Sequence, residues 1–329
     1  MTQTTIALFS SQKYEHPFFD ACIENQPSIA LSYIEQSLTE QSAVLCKGFD
    51  AVCVFVNDVV NEAVIKQLAE HGVKCILLRC AGFNNVDLAA AKKHGIKVCR
   101  VPAYSPEAVA EHCIALMLTL NRKTHKAYNR IREDNFDLNG LLGFNLFKKT
   151  IGIIGCGKIG KALVNILNGF GAHVLVCDPY AEQGDYTLCD LDTLLNQSDV
   201  ISLHCPLNEQ THHLIDEHAF SKLKQSVMLI NTSRGALVDS KACISALKSK
   251  KLGYLGLDVY EQESELFFKD RRDEIMQDDI FSRLVSFPNV LVTGHQGFFT
   301  KEALTEIAQT TINNAIEFAN NQPLSNEVE

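Results

Sequence analysis

The sequence lacks the segments that would place the protein in a membrane or leave it disordered. No window reaches the roughly 18 consecutive apolar residues that a membrane span needs, and no stretch is biased enough in composition to predict disorder. The N-terminal "MTQTTIALFSSQ" has no basic region leading into a long apolar run, so it does not resemble a secretory signal. We therefore expect a soluble, fully folded protein in the cytoplasm, with no membrane partner.

Positively charged residues are also fewer than negatively charged ones. The chain has 30 lysines and arginines against 39 acidic residues, a formal net charge of −9. Nucleic-acid affinity depends largely on cationic contacts with phosphates, so we expect no nucleic-acid partner. The one basic cluster, residues 121–132, is interpreted as a solvated or subunit-facing helix.

Paired metal-ligand or redox cysteines are missing as well. The 12 cysteines are scattered through apolar runs such as "AVCVFV" and "EHCIALML", and no C-x-x-C pair occurs. Reduced, buried thiols in a reducing compartment are the expected state. The adjacent histidines His212 and His213 lack the i, i+4 spacing of helical metal ligands. We expect no metal site.

What the sequence does contain is an alternation of short apolar runs and amphipathic helical segments. This pattern is typical of mostly parallel sheets covered by helices, and 329 residues are enough for two domains. The expected strands of a first sheet are "TIALFS", "DAVCVFV", "VKCILLRC" and "IKVCRV". Those of a second sheet, within about 101–298, are "TIGIIG", "AHVLVCD", "DVISLHC", "VMLINTS", "YLGLDVY" and "NVLVTGH".

Two long helices are expected outside this alternation. One begins at Ser105-Pro106, where serine can cap and proline can take the first helical position, and runs on through "NRKTHKAYNRI" as a connector. The other, "TKEALTEIAQTTINNAIEFANNQ", has no strand of its own. Its apolar face is expected to pack on the first domain.

A glycine motif in G-x-G-x-x-G order follows the strand "TIGIIG". Gly155 would make the tight turn, Gly157 would let a pyrophosphate approach the backbone, and Gly160 would let helix and strand pack closely. Asp178, at the end of the next strand, is placed to bind a ribose 2′-hydroxyl and to repel a 2′-phosphate. The motif predicts NAD rather than NADP. Cys156, within the loop, is weighed as a redox thiol but is interpreted as an inert small side chain.

Three charged residues stand near the ends of later strand-like runs: Arg234 in "INTSRGALVD", Glu263 in "GLDVYEQES" and His295 in "VTGHQGFF". Ligands of parallel sheets bind at the carboxyl ends of strands, so all three are expected beside the nicotinamide. Each also has an ordinary structural explanation; Arg234, for example, could pair with Asp239.

Taken together, these motifs resemble those of a known enzyme family. The chain resembles the D-isomer-specific 2-hydroxyacid dehydrogenases, and within them the bacterial fermentative D-lactate dehydrogenases. The resemblance extends over essentially the whole length, and it rests on eight motifs in order: "RCAGFNNVD", "VPAYSPEAVAEH", "GIIGCGKIG", "CDPY", "HCPLNEQTHHLI", "INTSRGALVD", "GLDVYEQE" and "TGHQGFFT".

The resemblance implies an activity and the residues for it. Pyruvate would be reduced to D-lactate, with Arg234 binding the carboxylate and polarising the carbonyl, His295 as acid–base and Glu263 as its partner. Histidine suits that role because its unperturbed pKa, about 6.5, lies near neutrality. The implied substrate residues are Ala81, Gly82, Tyr104 and Phe298 or Phe299. The implied NAD contacts, beside the glycines and Asp178, are Lys158, Ile159, Cys205, Pro206, Thr211, Thr232, Ser233 and Asp258.

The resemblance also implies an α/β fold of two doubly wound parallel-sheet domains. A flavodoxin-like substrate domain would comprise residues 1–100 and 299–329, and a Rossmann-type NAD domain residues 101–298. A homodimer or a dimer of dimers is expected through the helix "AVAEHCIALMLTL". The long charged segment 263–289, with a short helix at "DDIFSRL", favours the D-lactate branch.

Two alternatives stay open. One is a relative acting on glyoxylate, hydroxypyruvate, phenylpyruvate or a branched 2-oxo acid, because a single methylene changes discrimination by only about 1–3 kcal/mol. The other is an NAD-responsive binding scaffold related to the C-terminal-binding corepressors.

Overall fold

The computed structural model describes residues 3–328, apart from the side chain of Glu265. The strands are β1 (Thr4–Leu8), β2 (Ile29–Tyr33), β3 (Ala51–Val54), β4 (Cys75–Leu78), β5 (Lys97–Cys99), β6 (Thr150–Ile154), β7 (His173–Cys177), β8 (Thr187–Leu188), β9 (Val200–Leu203), β10 (Val227–Asn231), β11 (Leu252–Leu257) and β12 (Val290–Val292). The helices are α1 (His16–Ile23), α2 (Glu62–Glu70), α3 (Leu88–Lys93), α4 (Pro106–Arg122), α5 (Thr124–Ile131), α6 (Lys158–Gly169), α7 (Leu191–Gln197), α8 (Glu217–Lys222), α9 (Ser240–Lys248), α10 (Glu263–Leu266), α11 (Asp279–Val285) and α12 (Lys301–Ala319), with 3₁₀ turns at Ala43–Cys46 and Gly235–Leu237.

The chain divides into two compact units. The N-terminal unit comprises Met1–Ser105 with Phe299–Glu329, and the central unit comprises Pro106–Phe298. The first boundary lies five residues beyond the position expected from sequence. The chain after β5 stays with the N-terminal unit because the amide of Val101 donates to the carbonyl of Cys80 at 3.1 Å.

The N-terminal unit is built on a parallel five-stranded sheet in the order β2-β1-β3-β4-β5. This is the flavodoxin-like order. Strands β3 and β4 are buried along their whole length, as central strands of a sheet covered on both faces should be. The C-terminal helix α12 packs here, with Ala308, Ile312 and Ala315 in the same core as Ile6 and Leu8.

The central unit carries a parallel seven-stranded sheet in the order β12-β11-β10-β9-β6-β7-β8. From β8 to β11 this is the Rossmann order, with β12 added at one edge. Helices pack against the sheet in two hydrophobic cores, one that includes Ile153 and Leu163 and another that includes Leu229 and Leu255. The expected doubly wound α/β fold is confirmed.

The connector expected as a single helix is two helices. The chain breaks at Lys123, whose φ of 54° lies in the left-handed region, and this residue separates α4 from α5. The apolar face of α4, including Leu116, Met117 and Leu120, is buried in the core of its own unit. That face is therefore already covered within one chain. The short helix predicted at "DDIFSRL" is present as α11.

Neither a membrane span nor a disulfide occurs in the part of the chain that the structure describes. Within residues 3–328, every helix is too short or too polar to cross a bilayer. All twelve cysteines are free thiols, and nine of them are buried. Burial raises the thiol pKa in several cases, as at Cys53, Cys113 and Cys243.

Candidate active site

The glycine loop joins β6 to α6 in the central unit. Gly155 has a φ of 91°, and a Cβ atom there would lie 2.5 Å from the amide nitrogen of Cys205. A Cβ atom at Gly160 would lie 2.4 Å from the carbonyl oxygen of Gly155, whereas at Gly157 it would meet open space. The loop thus packs helix closely on strand and leaves one stretch of backbone open, as a pyrophosphate requires.

The amino end of α6 offers hydrogen-bond donors to that open space. Gly157 is the N-cap, and no side chain among residues 3–328 caps the helix. The first amides of a helix have no partner within it and carry partial positive charge. Lys158 and Ile159 form the first turn, so they lie where phosphate groups would bind.

Asp178 follows β7 and is tied to the glycine loop. One carboxylate oxygen accepts a hydrogen bond from the Cys156 amide at 2.6 Å, and the other accepts one from the Tyr180 amide at 2.8 Å. Each oxygen keeps a further lone pair, so the carboxylate can still accept from ribose hydroxyls. Burial raises the pKa of the Cys156 thiol, the opposite of what a reactive thiolate needs.

Other residues expected at the cofactor gather at the carboxyl ends of β9 and β10. The Ser233 hydroxyl donates to the carbonyl of Cys205 at 2.8 Å, which links the two strand ends. The Thr211 hydroxyl donates to the carbonyl of Pro206 at 2.6 Å and closes the loop after β9. Thr232 is buried, and its hydroxyl lies 3.0 Å from the sulfur of Cys113. These five residues and the glycine loop occupy one edge of a single sheet.

Asp258 is buried directly after β11. Its carboxylate accepts hydrogen bonds from the Thr293 hydroxyl at 2.5 Å and from the amides of Gln296 and Gly297 at 2.9 and 2.8 Å. It therefore anchors the loop after β12, which also carries His295. Burial alone would raise the pKa of Asp258, but hydrogen bonds from His112 and Thr293 outweigh it and the pKa is lowered.

His112, on α4, is part of this anchor and was not singled out from the sequence. Its Nε2 atom lies 3.0 Å from the Thr293 hydroxyl and 3.3 Å from the Asp258 carboxylate. The available signal is that His112 and its neighbour Glu111 are the two polar residues at the start of the otherwise apolar run "EHCIALML". That pattern shows a buried polar group but does not reveal its partner.

His295 and Glu263 form a pair at the carboxyl ends of β12 and β11. The Nδ1 atom of His295 lies 2.9 Å from one oxygen of Glu263, and the other oxygen accepts a hydrogen bond from the Tyr260 amide at 3.0 Å. The two side chains are 16% and 21% exposed, so the pair is mostly buried but still reached by solvent. His295 has a φ of 53°, a conformation that costs about 1–3 kcal/mol outside glycine.

The remaining ring nitrogen of His295, Nε2, has no hydrogen-bond partner among the described residues. A neutral or protonated imidazole held at Nδ1 by a carboxylate can exchange a proton at Nε2. The arrangement is that of an oriented acid–base group.

Arg234 lies three residues after β10 and is half-buried. One guanidinium nitrogen donates to the carbonyl of Ser233 at 2.7 Å, and no carboxylate in the described chain forms an ion pair with it. Asp239, the alternative partner, instead caps α9 by accepting from the amides of Lys241 and Ala242. Arg234 is thus a permanent positive charge without a counter-charge.

The residues expected at the substrate belong to both units. Ala81 and Gly82 follow β4, and the carbonyl of Ala81 accepts a hydrogen bond from Arg100 at 3.0 Å. Phe299 lies in the N-terminal unit and packs edge-on against Tyr14, with ring centroids 4.7 Å apart. Tyr104 also belongs to the N-terminal unit, and Phe298 to the central unit. Their contact with substrate stays a prediction.

Metal-binding geometry is not found among the described residues. The Nε2 atom of His213 lies 2.7 Å from Glu261, and the ring of His213 stacks on that of His212 at 4.0 Å. Glu261 in turn accepts from the Ser240 amide at 3.0 Å. This pair holds the loop before α9 in place.

Comparison with known proteins identifies the family. Residues 114–297, more than half of the chain, match the family model described as D-isomer specific 2-hydroxyacid dehydrogenase, NAD binding domain. The chain belongs to this family. The D-lactate dehydrogenase of Escherichia coli K12 is 51% identical over 327 residues, which cover 98% of this chain and 99% of the relative.

Solved structures of family members agree with the fold. The pyruvate reductase of Chlamydomonas reinhardtii superposes with a TM-score of 0.91 at 42% identity, covering 99% of both chains. D-lactate dehydrogenase with NAD+ from Lactobacillus jensenii superposes with a TM-score of 0.82 at 33% identity, covering 99% of this chain and 100% of that one. The chain is therefore an NAD-dependent dehydrogenase of the D-2-hydroxyacid family, and the resemblance and the cofactor predicted from sequence are confirmed.

Proposed function

We propose that this dehydrogenase reduces pyruvate to D-lactate. The observation that carries the proposal is the unpaired charge of Arg234 at the carboxyl end of β10. The next strand in the sheet, β11, leads to Glu263, and the one after it, β12, leads to His295. A 2-oxo acid needs a cation for its carboxylate and a proton donor for its carbonyl. The names of similar proteins, D-lactate dehydrogenase and pyruvate reductase, favour pyruvate.

NAD would bind along the carboxyl edge of the central sheet. The amides of Gly157, Lys158 and Ile159 would hold the pyrophosphate, and Asp178 would accept from the adenosine ribose. When bound, NADH supplies the hydride that reduces the carbonyl carbon. The remaining contacts would come from Gly155, Gly160, Cys205, Pro206, Thr211, Thr232, Ser233 and Asp258.

Arg234 would bind the substrate carboxylate through its planar fork. The same charge would also stabilise negative charge that develops on the carbonyl oxygen. Because no protein carboxylate neutralises it among the described residues, substrate binding does not have to break an existing ion pair. Ala81 and Gly82 would add amide donors, while Tyr104, Phe298 and Phe299 would line the pocket.

His295 would donate the proton. In the direction of reduction its protonated ring gives the Nε2 proton to the carbonyl oxygen, and in oxidation the neutral ring removes it from the hydroxyl. Glu263 keeps Nδ1 engaged at 2.9 Å, so the ring stays oriented and the positive charge of the imidazolium is balanced. Glu263 is a positioning residue, since it acts through His295.

The test is an NADH-oxidation assay with purified protein. Pyruvate, glyoxylate, hydroxypyruvate and phenylpyruvate are compared at equal concentration, and the chirality of the product is determined. We expect the highest kcat/KM with pyruvate, and D-lactate as product. Preference for another acid would keep the mechanism and change the substrate, whereas absence of turnover with all four acids would contradict the proposal.

We further infer that two copies of the chain associate through residues 128–142, which comprise the second half of α5 and the segment after it. Within this one chain these residues expose large apolar side chains that a monomer seldom leaves in water. The exposed fractions are 62% for Tyr128, 55% for Ile131, 71% for Phe136, 78% for Leu138 and 86% for Leu142. Closed two-fold dimers are the commonest way to cover such a surface.

Sedimentation equilibrium tests this inference. The wild-type protein should sediment as a dimer, or as a dimer of dimers, and Leu142→Asp with Leu138→Asp should shift it towards the monomer. Leu188→Asp, which changes a 40% exposed leucine on β8, is the matched control. A monomeric wild type would contradict the inference.

A further inference from the structure

A cavity of about 560 Å³ lies in the central unit at the amino ends of three adjacent strands. Its lining includes Ser226 just before β10, Gly253 at the start of β11 and Asn289 just before β12. Arg234 and His295 follow the opposite ends of the sheet. A strand rises about 3.3 Å per residue, so the six residues of β11 hold the two ends roughly 20 Å apart. A ligand in this cavity would not touch the reacting atoms.

The lining of the cavity is strongly cationic. Four lysines line it, Lys123, Lys126, Lys248 and Lys250, together with His125. None of the lining residues in the described chain carries a carboxylate. The protein as a whole has a net charge of −9, so this cavity departs from the average sign of the chain and attracts anions.

Two of the lysines are held in position without being neutralised. Lys123 Nζ donates to the carbonyls of Gly140 and Leu142 at 2.9 Å each, and Lys126 Nζ donates to the carbonyl of Pro288. Carbonyl groups orient an ammonium group but leave its net charge, and three donors per ammonium leave one or more hydrogens for a ligand.

The electrostatic environment agrees with an uncompensated cluster. Burial lowers the pKa of Lys126, and the nearby charges of Lys123 and Arg130 lower it further. The Nδ1 atom of His125 is inaccessible to solvent and has no hydrogen-bond partner among the described residues. An anion would relieve the repulsion among the lysines.

We propose that this cavity is a binding site for a small organic polyanion that carries two or more phosphate or carboxylate groups. The volume is within the range of about 300–1,000 Å³ that is usual for small-molecule sites. Several lysines act as point charges for either group, because an ammonium does not demand the planar geometry that distinguishes the two. The site is independent of the pyruvate assignment.

Isothermal titration calorimetry tests the proposal with pyrophosphate and, separately, tricarballylate as probes. Tricarballylate has neither a 2-oxo nor a 2-hydroxy group, so it is not a substrate analogue. Saturating NAD+ is present to occupy the dinucleotide site, and ionic strength is held constant. We expect one site per chain for at least one probe, and the probe that binds identifies the phosphate or carboxylate class.

Two variants locate the binding. Lys126→Gln and Lys248→Gln should each weaken it at least about tenfold, the loss expected for one charge-assisted hydrogen bond. Lys241→Gln, on the same helix α9 as Lys248 but outside the cavity lining, should bind as the wild type does. Lys248 is exposed, so its replacement should not affect folding. No binding of either probe, or equal affinity in all four proteins, would overturn the proposal.

Discussion

Two arginines occupy similar places in the two units and are in opposite electrostatic states. Arg79 directly follows β4 in the N-terminal unit and is 1% exposed, with its guanidinium bonded to both oxygens of Glu15 at 3.0 and 3.2 Å. It also donates to the carbonyl of Ser10 at 2.9 Å. Arg234 follows β10 in the central unit and has no carboxylate partner in the described chain. The first charge is satisfied within the fold, and the second is not.

The difference shows which arginine is available to a substrate. A fully buried charge has to be paired, because unpaired burial costs several kcal/mol. Arg234 avoids that cost by staying half-exposed, and it keeps its binding capacity for an incoming carboxylate. The position of an arginine at a strand end is therefore not enough to indicate function. The absence of a counter-charge within the protein is the better indicator.

The largest expected effect comes from breaking the ion pair between Arg79 and Glu15. Arg79→Met should lower the free energy of unfolding by about 3–5 kcal/mol, because Glu15 would be left as an unpaired buried charge. Urea unfolding followed by circular dichroism measures the change. Lys93→Met, which removes the exposed ion pair of Lys93 with Glu62, should cost less than about 1 kcal/mol. Equal costs for the two variants would contradict the buried-pair argument.

Replacing Arg234, which has no counter-charge, should have the opposite effect: activity should fall while stability is kept. Arg234→Gln should lower kcat/KM for pyruvate by about 10²–10³-fold, the usual loss when a donor to developing negative charge is removed. Its unfolding free energy should stay near the wild-type value, because no ion pair is broken.

Steady-state kinetics and unfolding curves of Arg234→Gln, measured beside those of the wild type, test this prediction. Arg234→Lys keeps the charge but loses the bidentate fork, so its activity should lie between those of the wild type and the glutamine variant. Substantial loss of stability in Arg234→Gln would mean that Arg234, like Arg79, is structural.

Local motifs and long-range contacts differ in how well they can be predicted from sequence. The dinucleotide site follows from a local pattern: Gly155, Gly157 and Gly160 sit at fixed spacing between a strand and a helix, and Asp178 ends the next strand. Strand ends also identified Arg234 and His295 as candidates. Each of these signals lies within about thirty residues of the chain.

Long-range polar pairings could not be predicted in this way. Glu15 and Arg79 are 64 positions apart, and His112 and Thr293 are 181 positions apart. Nothing in either local sequence names the partner. Two strands were also missed, β2 because it is a partly exposed edge strand and β8 because it has only two residues. The break at Lys123 carries no glycine or proline signal.

A smaller effect should follow from replacing Asp178, the carboxylate proposed to bind the adenosine ribose. Asp178→Ser should raise the KM for NADH about tenfold, by loss of a charge-assisted hydrogen bond, and should reduce the discrimination against NADPH. Steady-state kinetics with both cofactors measures the ratio. Asp185→Ser removes an exposed carboxylate from the same region of the chain and should leave that ratio unchanged. An unchanged ratio in Asp178→Ser would remove Asp178 from the cofactor site.

The smallest expected effect is on the pH dependence of stability, and it concerns His204, a second histidine of the central unit. His295 is paired with a carboxylate and has an open nitrogen, whereas His204 is bonded to the Ser202 hydroxyl at 2.9 Å. Burial lowers the pKa of His204 to about 4, against about 6.5 in an unfolded chain. Between these values the unfolded chain binds the additional proton. The stability contributed by neutral His204 is therefore complete above pH 6.5 and is lost as the pH falls towards 4.

Unfolding free energies of the wild type and His204→Gln at pH 7.5 and pH 5 isolate that contribution. Other titrating groups affect both proteins alike, so the difference between the proteins should change by about 1–2 kcal/mol between the two pH values, to the disadvantage of the wild type at pH 5. His173→Gln, at an exposed position on β7, should show no such change. A pH-independent difference for His204→Gln would mean that His204 takes up a proton in the folded protein as readily as in the unfolded chain.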